Sequence, residues 1–170
     1  MAAGPSTPVW VSAADSGVAT IYQGALGGSP LTIQPLVVSI PGGAPTGQVF
    51  NPTSGFVDVY TPDGTPVRRL VRRGDLNSPW GLALAPADFG RFSGALLVGN
   101  FGDGRIHAFD PHNGHFLGTL QDEHHHALTI DGLWGLRFGN GVTGDTNTLL
   151  FTAGPDGEAH GLFGTLTSEG

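Results

Sequence analysis

Residues 78–120 read SPWGLALAPADFGRFSGALLVGNFGDGRIHAFDPHNGHFLGTL. Four apolar runs lie inside this stretch: WGLALAP, ALLVGN, RIHAFD and HFLGTL. Turns carrying glycine, proline, aspartate or asparagine separate them. Short runs of that length, punctuated in that way, predict β-strands joined by tight antiparallel connections. In order they are strand A (80–85), strand B (95–99), strand C (105–110) and strand D (116–120).

The same four-part pattern recurs on both sides. GLWGLRFGN (132–140) repeats WGL and the strand after it, so Trp80 and Trp134 occupy one position of a repeat. Downstream, the pattern places A at 133–138, B at 149–153 and C at 161–166. Upstream, VWVSAADSGVATIYQG (9–24) supplies B (9–12) and C (18–23), followed by D (35–40) and A (46–50). GFVDVYTPDGTPVRRL (55–70) matches the C–D part, with C at 56–60 and D at 67–71. No stretch has sustained helical periodicity with caps. Four antiparallel strands in roughly 50 residues is the pattern of a β-propeller blade. The expected fold is therefore all-β: one domain over 1–170, a β-propeller of four-stranded antiparallel blades, about three blades per chain.

One junction breaks the order. Between Leu84 and Gly104 lie strand B and its connections; between Phe50 and Gly55, in the matching place, there is room for neither. Residues 51–55 thus read as a seam where a B strand is missing. The expectation is that this strand left with deleted blades and is not supplied from elsewhere in the chain.

Composition narrows the function classes. The chain has 170 residues, 12% of them charged, with a net charge of −7. Of its seven Lys and Arg, four stand together as Arg68, Arg69, Arg72 and Arg73, a pattern suited to an exposed strand. A nucleic-acid footprint needs a broad basic face, so no nucleic acid is expected as partner. With no cysteine, thiol catalysis, disulfides and Cys-bound zinc are excluded. No run approaches the length of a membrane span, and no signal peptide is visible at the N-terminus. The 29 glycines and 13 prolines fall between apolar runs, as many short strands require.

The stretch from LNSPWGLALAP through HFLGTL, with IDGLWGLRFGNG and FTAGPDGEAHGLFG, closely resembles the C-terminal blades of an uncharacterised bacterial six-bladed β-propeller family. Some members of that family carry exosortase-type sorting tails. VWVSAADSGVATIYQG and PLVVSIPGGAPTGQVFNPTS resemble its first blade and the opening of its second. The resemblance implies a chain that has lost its central blades at the seam. It also implies export to the cell surface or beyond.

Three blades leave two apolar faces open, and faces of that kind mark interfaces. Two copies related by a two-fold axis could close a six-bladed ring, so the chain itself is the expected partner, as a homodimer.

Propeller topology groups the B–C and D–A loops at one end. Asn100 and Asp103 in GNFGDG, the run DEHHHALTID (122–131) with His124, His125, His126 and Asp131, and GPDGEAH (154–160) with Asp156, Glu158 and His160 all fall there. Each admits two readings. The His run offers imidazoles for a metal or a general base, or is a solvated loop. Asn100, Asp103, Asp131 and Asp156 offer oxygens suited to a divalent metal, calcium above all, or satisfy their own turns. Trp80 and Trp134 could stack a ring-shaped small-molecule ligand, or pack between blades. Gly81 and Gly135 follow them where inner strands crowd.

At the level of fold the chain is similar to gluconolactonase- and paraoxonase-type propellers. That similarity implies a calcium-assisted hydrolase of small lactones, such as acyl-homoserine lactones, with one of the named histidines activating water. The chain departs from those enzymes in placing Thr46, Trp80 and Trp134 where they often carry Asn. The alternative is a non-catalytic binding or scaffold propeller of the cell surface.

Overall fold

The computed structural model describes residues 9–13, 18–23, 34–39, 55–60 and 65–168. The strand expected at 46–50, with Thr46, and most of the seam lie outside the described residues. The described part is all-β, built from antiparallel sheets of two to four strands.

The complete repeat forms the central sheet. Its strands β6 (Pro79–Leu84), β7 (Leu96–Asn100), β8 (Ile106–Phe109) and β9 (Phe116–Thr119) lie side by side in chain order. β10 (Leu133–Phe138), β11 (Leu149–Ala153) and β12 (Leu162–Leu166) form a second sheet in the same order. β2 (Val18–Gln23) and β3 (Gln34–Ser39) pair as two strands.

The remaining sheet corrects one expectation. β4 (Phe56–Tyr60) pairs with β5 (Pro66–Arg72), as repeat order requires, but its other neighbour is β1 (Val9–Ala13), antiparallel from Val9 opposite Tyr60 to Ala13 opposite Phe56. The B position missing at the seam is thus filled from the N-terminus. The physical reason is that repeats share strand geometry: β4 presents an edge that accepts any B-type strand, and β1 is one.

The two middle strands of the central sheet, β7 and β8, are buried on both faces because they are largely apolar at consecutive positions. Along β7, Leu96 and Val98 point one way and Leu97 the other. Leu96, Val98 and Phe109 meet Val57 and Val59 of β4, with Leu70, Val71 and Leu76. Leu97, Ile106 and Ala108 meet Leu133, Leu136 and Leu149 of the next sheet, with Phe89 and Phe92. Each of the Val, Leu, Ile and Phe side chains among them stabilises by about 1.5–3 kcal/mol on burial. Close approach of β6 and β10 depends on Gly81, where a Cβ would stand 2.6 Å from the Trp134 carbonyl oxygen. Among the described residues the sheets stay open; none closes into a barrel and they form no closed ring.

Candidate functional site

The loops at the Asn100 end of β7 are tied to the segments that precede β6 and β10. Gly102 N–H donates to the Asn77 carbonyl (3.0 Å) and Phe101 N–H to that of Ser78 (2.9 Å). One repeat later, Gly154 N–H donates to the Gly132 carbonyl (2.8 Å), and Asp131 Oδ2 accepts from Asp156 N–H (3.0 Å). Ile130 N–H donates to the Gly104 carbonyl (2.9 Å), which couples the two repeats. Gly104 sits at φ +68 with its Cα against the Ile130 backbone, a position that no side chain fits.

Between these loops lies a pocket of about 380 Å³. Asn77, Phe101, Asp131 and Glu158 line it, together with Gly102, Gly132, Gly154 and Gly157. The short helical turn Pro155–Glu158 beside it contains three consecutive left-handed residues: Asp156 (φ 57), Gly157 (φ 63) and Glu158 (φ 70). Left-handed non-glycine residues cost of order 1 kcal/mol each and cluster at binding sites.

The predicted site residues divide. Asp131 lines the pocket, and Asp156 is held beside it by the Asp131 bond. His160 Nε2 is 3.7 Å from the Asp156 carboxylate, both well exposed. Trp134 is half-buried, its ring over Gly154. Trp80 is 53% exposed, with its ring centroid 6.1 Å from that of Phe101. Both tryptophans stand where the A–B strand pairing loses register, and an irregularity of that kind re-aims a side chain.

Asn100 is fully buried. Its Nδ2 donates to the Asp75 carbonyl (2.8 Å), and its Oδ1 has no hydrogen-bond partner. Asp103 Oδ1 accepts from Arg105 N–H (3.1 Å).

The histidine run lies elsewhere. His124 and His125 line a separate cavity of about 590 Å³ with Phe89, Phe92 and Leu166. Asp122 organises this loop, its Oδ1 accepting from the N–H groups of both His124 and His126 (2.9 Å each). The His126 N–H bond is the main reason that the Asp122 carboxyl is held below its ordinary pKa. The rings of His124 and His126 are exposed, 6.2 Å apart. Among the described residues, no three His, Asp or Glu side chains gather in a way that could hold a metal ion.

Sequence reading named Glu158, which lines the pocket, and missed Asn77 and Phe101. A signal for Asn77 was present: it stands three residues before Trp80, as Asp131 stands three before Trp134. Asn77 and Asp131 thus occupy the same position of successive repeats.

No protein-family model matches the chain. Similar curated proteins come from Acanthamoeba polyphaga mimivirus. Uncharacterized protein R648 is 41% identical over 115 residues, which is 68% of this chain and 28% of the relative. Uncharacterized protein L690 is 40% identical over 121 residues, 71% of this chain and 31% of the relative. Uncharacterized protein R640 is 43% identical over 82 residues, 48% of this chain and 15% of the relative. The chain spans less than a third of the length of these relatives. They are viral proteins, and nothing in the comparisons supports the bacterial propeller family whose resemblance the motifs suggested. That assignment is overturned. Short glycine-punctuated strand motifs follow from strand and turn chemistry, so their likeness points to strand architecture and does not identify a family. The expectation of export rested on that resemblance and loses its support with it.

Proposed function

We propose that the sheets are blades of a partial β-propeller and that the chain acts as a non-catalytic binding module. The observation that supports this is the pocket between Asn77 and Asp131. Loops of two successive repeats meet there, each fastened by backbone hydrogen bonds, over a core buried on both faces of the central sheet. Rigid strands that hold variable loops around a polar cleft are the usual construction of a ligand site. In this reading the chain carries about three blades, and a second copy completes a six-bladed ring. The half-exposed Leu162 and Phe163 of β12, 45% and 63% accessible, supply apolar surface for such an association.

A second reading, a calcium-assisted hydrolase of lactones such as acyl-homoserine lactones, draws on one observation. The buried Oδ1 of Asn100 lacks a partner, and amide oxygens of that kind are calcium ligands. Weighing against it, Asp103 is engaged by its own turn, while Asp131 lines one cavity and His124 and His125 another. Elemental analysis of the purified protein, followed by a lactone panel with and without chelator, separates the two. The binding reading expects no turnover above blank. Chelator-sensitive turnover that is lost in Asn100→Ala and Asp103→Ala would establish the hydrolase instead.

A further inference from the structure

We infer that the pocket between Asn77 and Asp131 binds a neutral sugar unit. The inference rests on the binding-module reading and names its ligand class. Three features of the lining carry it. First, no Lys or Arg lines the pocket, and the chain carries a net charge of −7, so anionic ligands are repelled. Second, the polar groups are mainly acceptors. Asp131 keeps Oδ1 for a ligand while Oδ2 holds Asp156 N–H; Glu158 adds a carboxylate; the Asn77 amide both donates and accepts. A ligand that satisfies this set must bring several hydrogen-bond donors spaced a few ångströms apart, as vicinal hydroxyls do. Third, the aromatic Phe101 is among the lining residues, with the Trp80 ring centroid 6.1 Å from that of Phe101. An aromatic residue beside carboxylates suits a pyranose, which has an apolar C–H face and a polar rim.

An organic cation would also be drawn to carboxylates, and magnitudes decide between the two. Asp131 and Glu158 are both exposed, so an ion pair with either gains only about 0–1 kcal/mol and is screened by salt. Hydroxyl hydrogen bonds to the same exposed carboxylates compete with water and contribute about 0.5–1.5 kcal/mol each, but a saccharide forms several at once where a quaternary ammonium forms none. A volume of about 380 Å³ accommodates one or two sugar rings.

The test uses the full chain, its tryptophan fluorescence, and two uncharged disaccharides, cellobiose and N,N′-diacetylchitobiose, with benzyltrimethylammonium as the cationic comparison. At least one disaccharide should bind saturably with a Kd of about 0.1–10 mM, the range of a small, exposed site. Raising sodium chloride to 0.5 M should change that Kd less than about twofold. Phe101→Ala and Glu158→Ala should each weaken it about tenfold, equivalent to one lost contact of about 1.4 kcal/mol. Asp131→Asn keeps an oxygen for Asp156 N–H, so it should retain the loop and lose only part of the affinity. Its thermal unfolding, measured in parallel, separates ligand loss from misfolding. Absence of saturable binding by either disaccharide at 50 mM would overturn the inference. So would binding of the ammonium alone, lost in salt and in Asp131→Asn. Lactone turnover would sink the non-catalytic reading yet leave these saccharide affinities measurable, so the two failures are distinguishable.

Discussion

His107 is the buried imidazole of the central sheet, on β8, 5% accessible. Its Nδ1 lies 2.9 Å from Thr119 Oγ1, and its ring meets Phe109 and Phe116 edge-on. Burial pushes its pKa below the ordinary value of 6.5; Asp103 and Asp75 act the other way and do not offset it. The unfolded chain therefore takes up the proton first on acidification. The folded state keeps its full stability above about pH 6.5 and loses it as pH falls from there toward the depressed value. Melting temperatures at pH 7.5 and 5.5 test this: the drop should be larger for the wild type than for His107→Gln. An equal drop in both would place the acid sensitivity elsewhere. In the sequence His107 is one of seven histidines with nothing to distinguish it, and attention goes to the consecutive three. Burial separates them, since a strand interior desolvates an imidazole and an exposed loop does not. Asn77 and Phe101 escaped notice for a related reason. A pocket residue is defined by what faces it across space, and only Asn77 left a trace, through its repeat position.

Among the elements, β1 carries the least obvious result. Repeat order joins it to β2, the strand next in sequence, yet its ladder is with β4. Alternate residues of an antiparallel strand aim their N–H groups at opposite sides, so either Val11 or Ser12 donates to β4. Proline at the donating position removes that bond. Hydrogen exchange on Val11→Pro and Ser12→Pro should show faster exchange of the amides at 56–60 in one of them, with β6–β9 unchanged. Faster exchange confined to 18–23 would restore the sequential pairing. The strands themselves were legible: the complete repeat has its four strands within a residue or so of the expected spans, because apolar runs between glycine turns leave little choice. Partner choice was not legible, since two C strands offer β1 equivalent edges and sequence order does not rank them.

At the scale of the whole molecule, two cores flank the central sheet, and the outer sheet ends on β12, an edge strand among the described residues. Edges of that kind are ordinarily covered, charged or shortened, and Leu162 and Phe163 instead expose apolar surface. Ring completion by a second copy predicts that light scattering at micromolar concentration returns twice the chain's mass. Leu162→Asp with Phe163→Asp, at positions already half-exposed or more, should return a single chain's mass with the fold retained. A wild type that scatters as a monomer would remove ring closure from the proposal. The all-β class, the repeat and the strand positions can be read from the chain alone, because short apolar runs and turn residues are local properties. Folding in three dimensions settled that the N-terminal strand pairs with β4, that Asp131 meets Asn77 around one pocket while His124 and His125 line another, and that His107 is buried. Those are contacts between residues far apart in sequence, fixed by which sheet faces pack together rather than by any single segment.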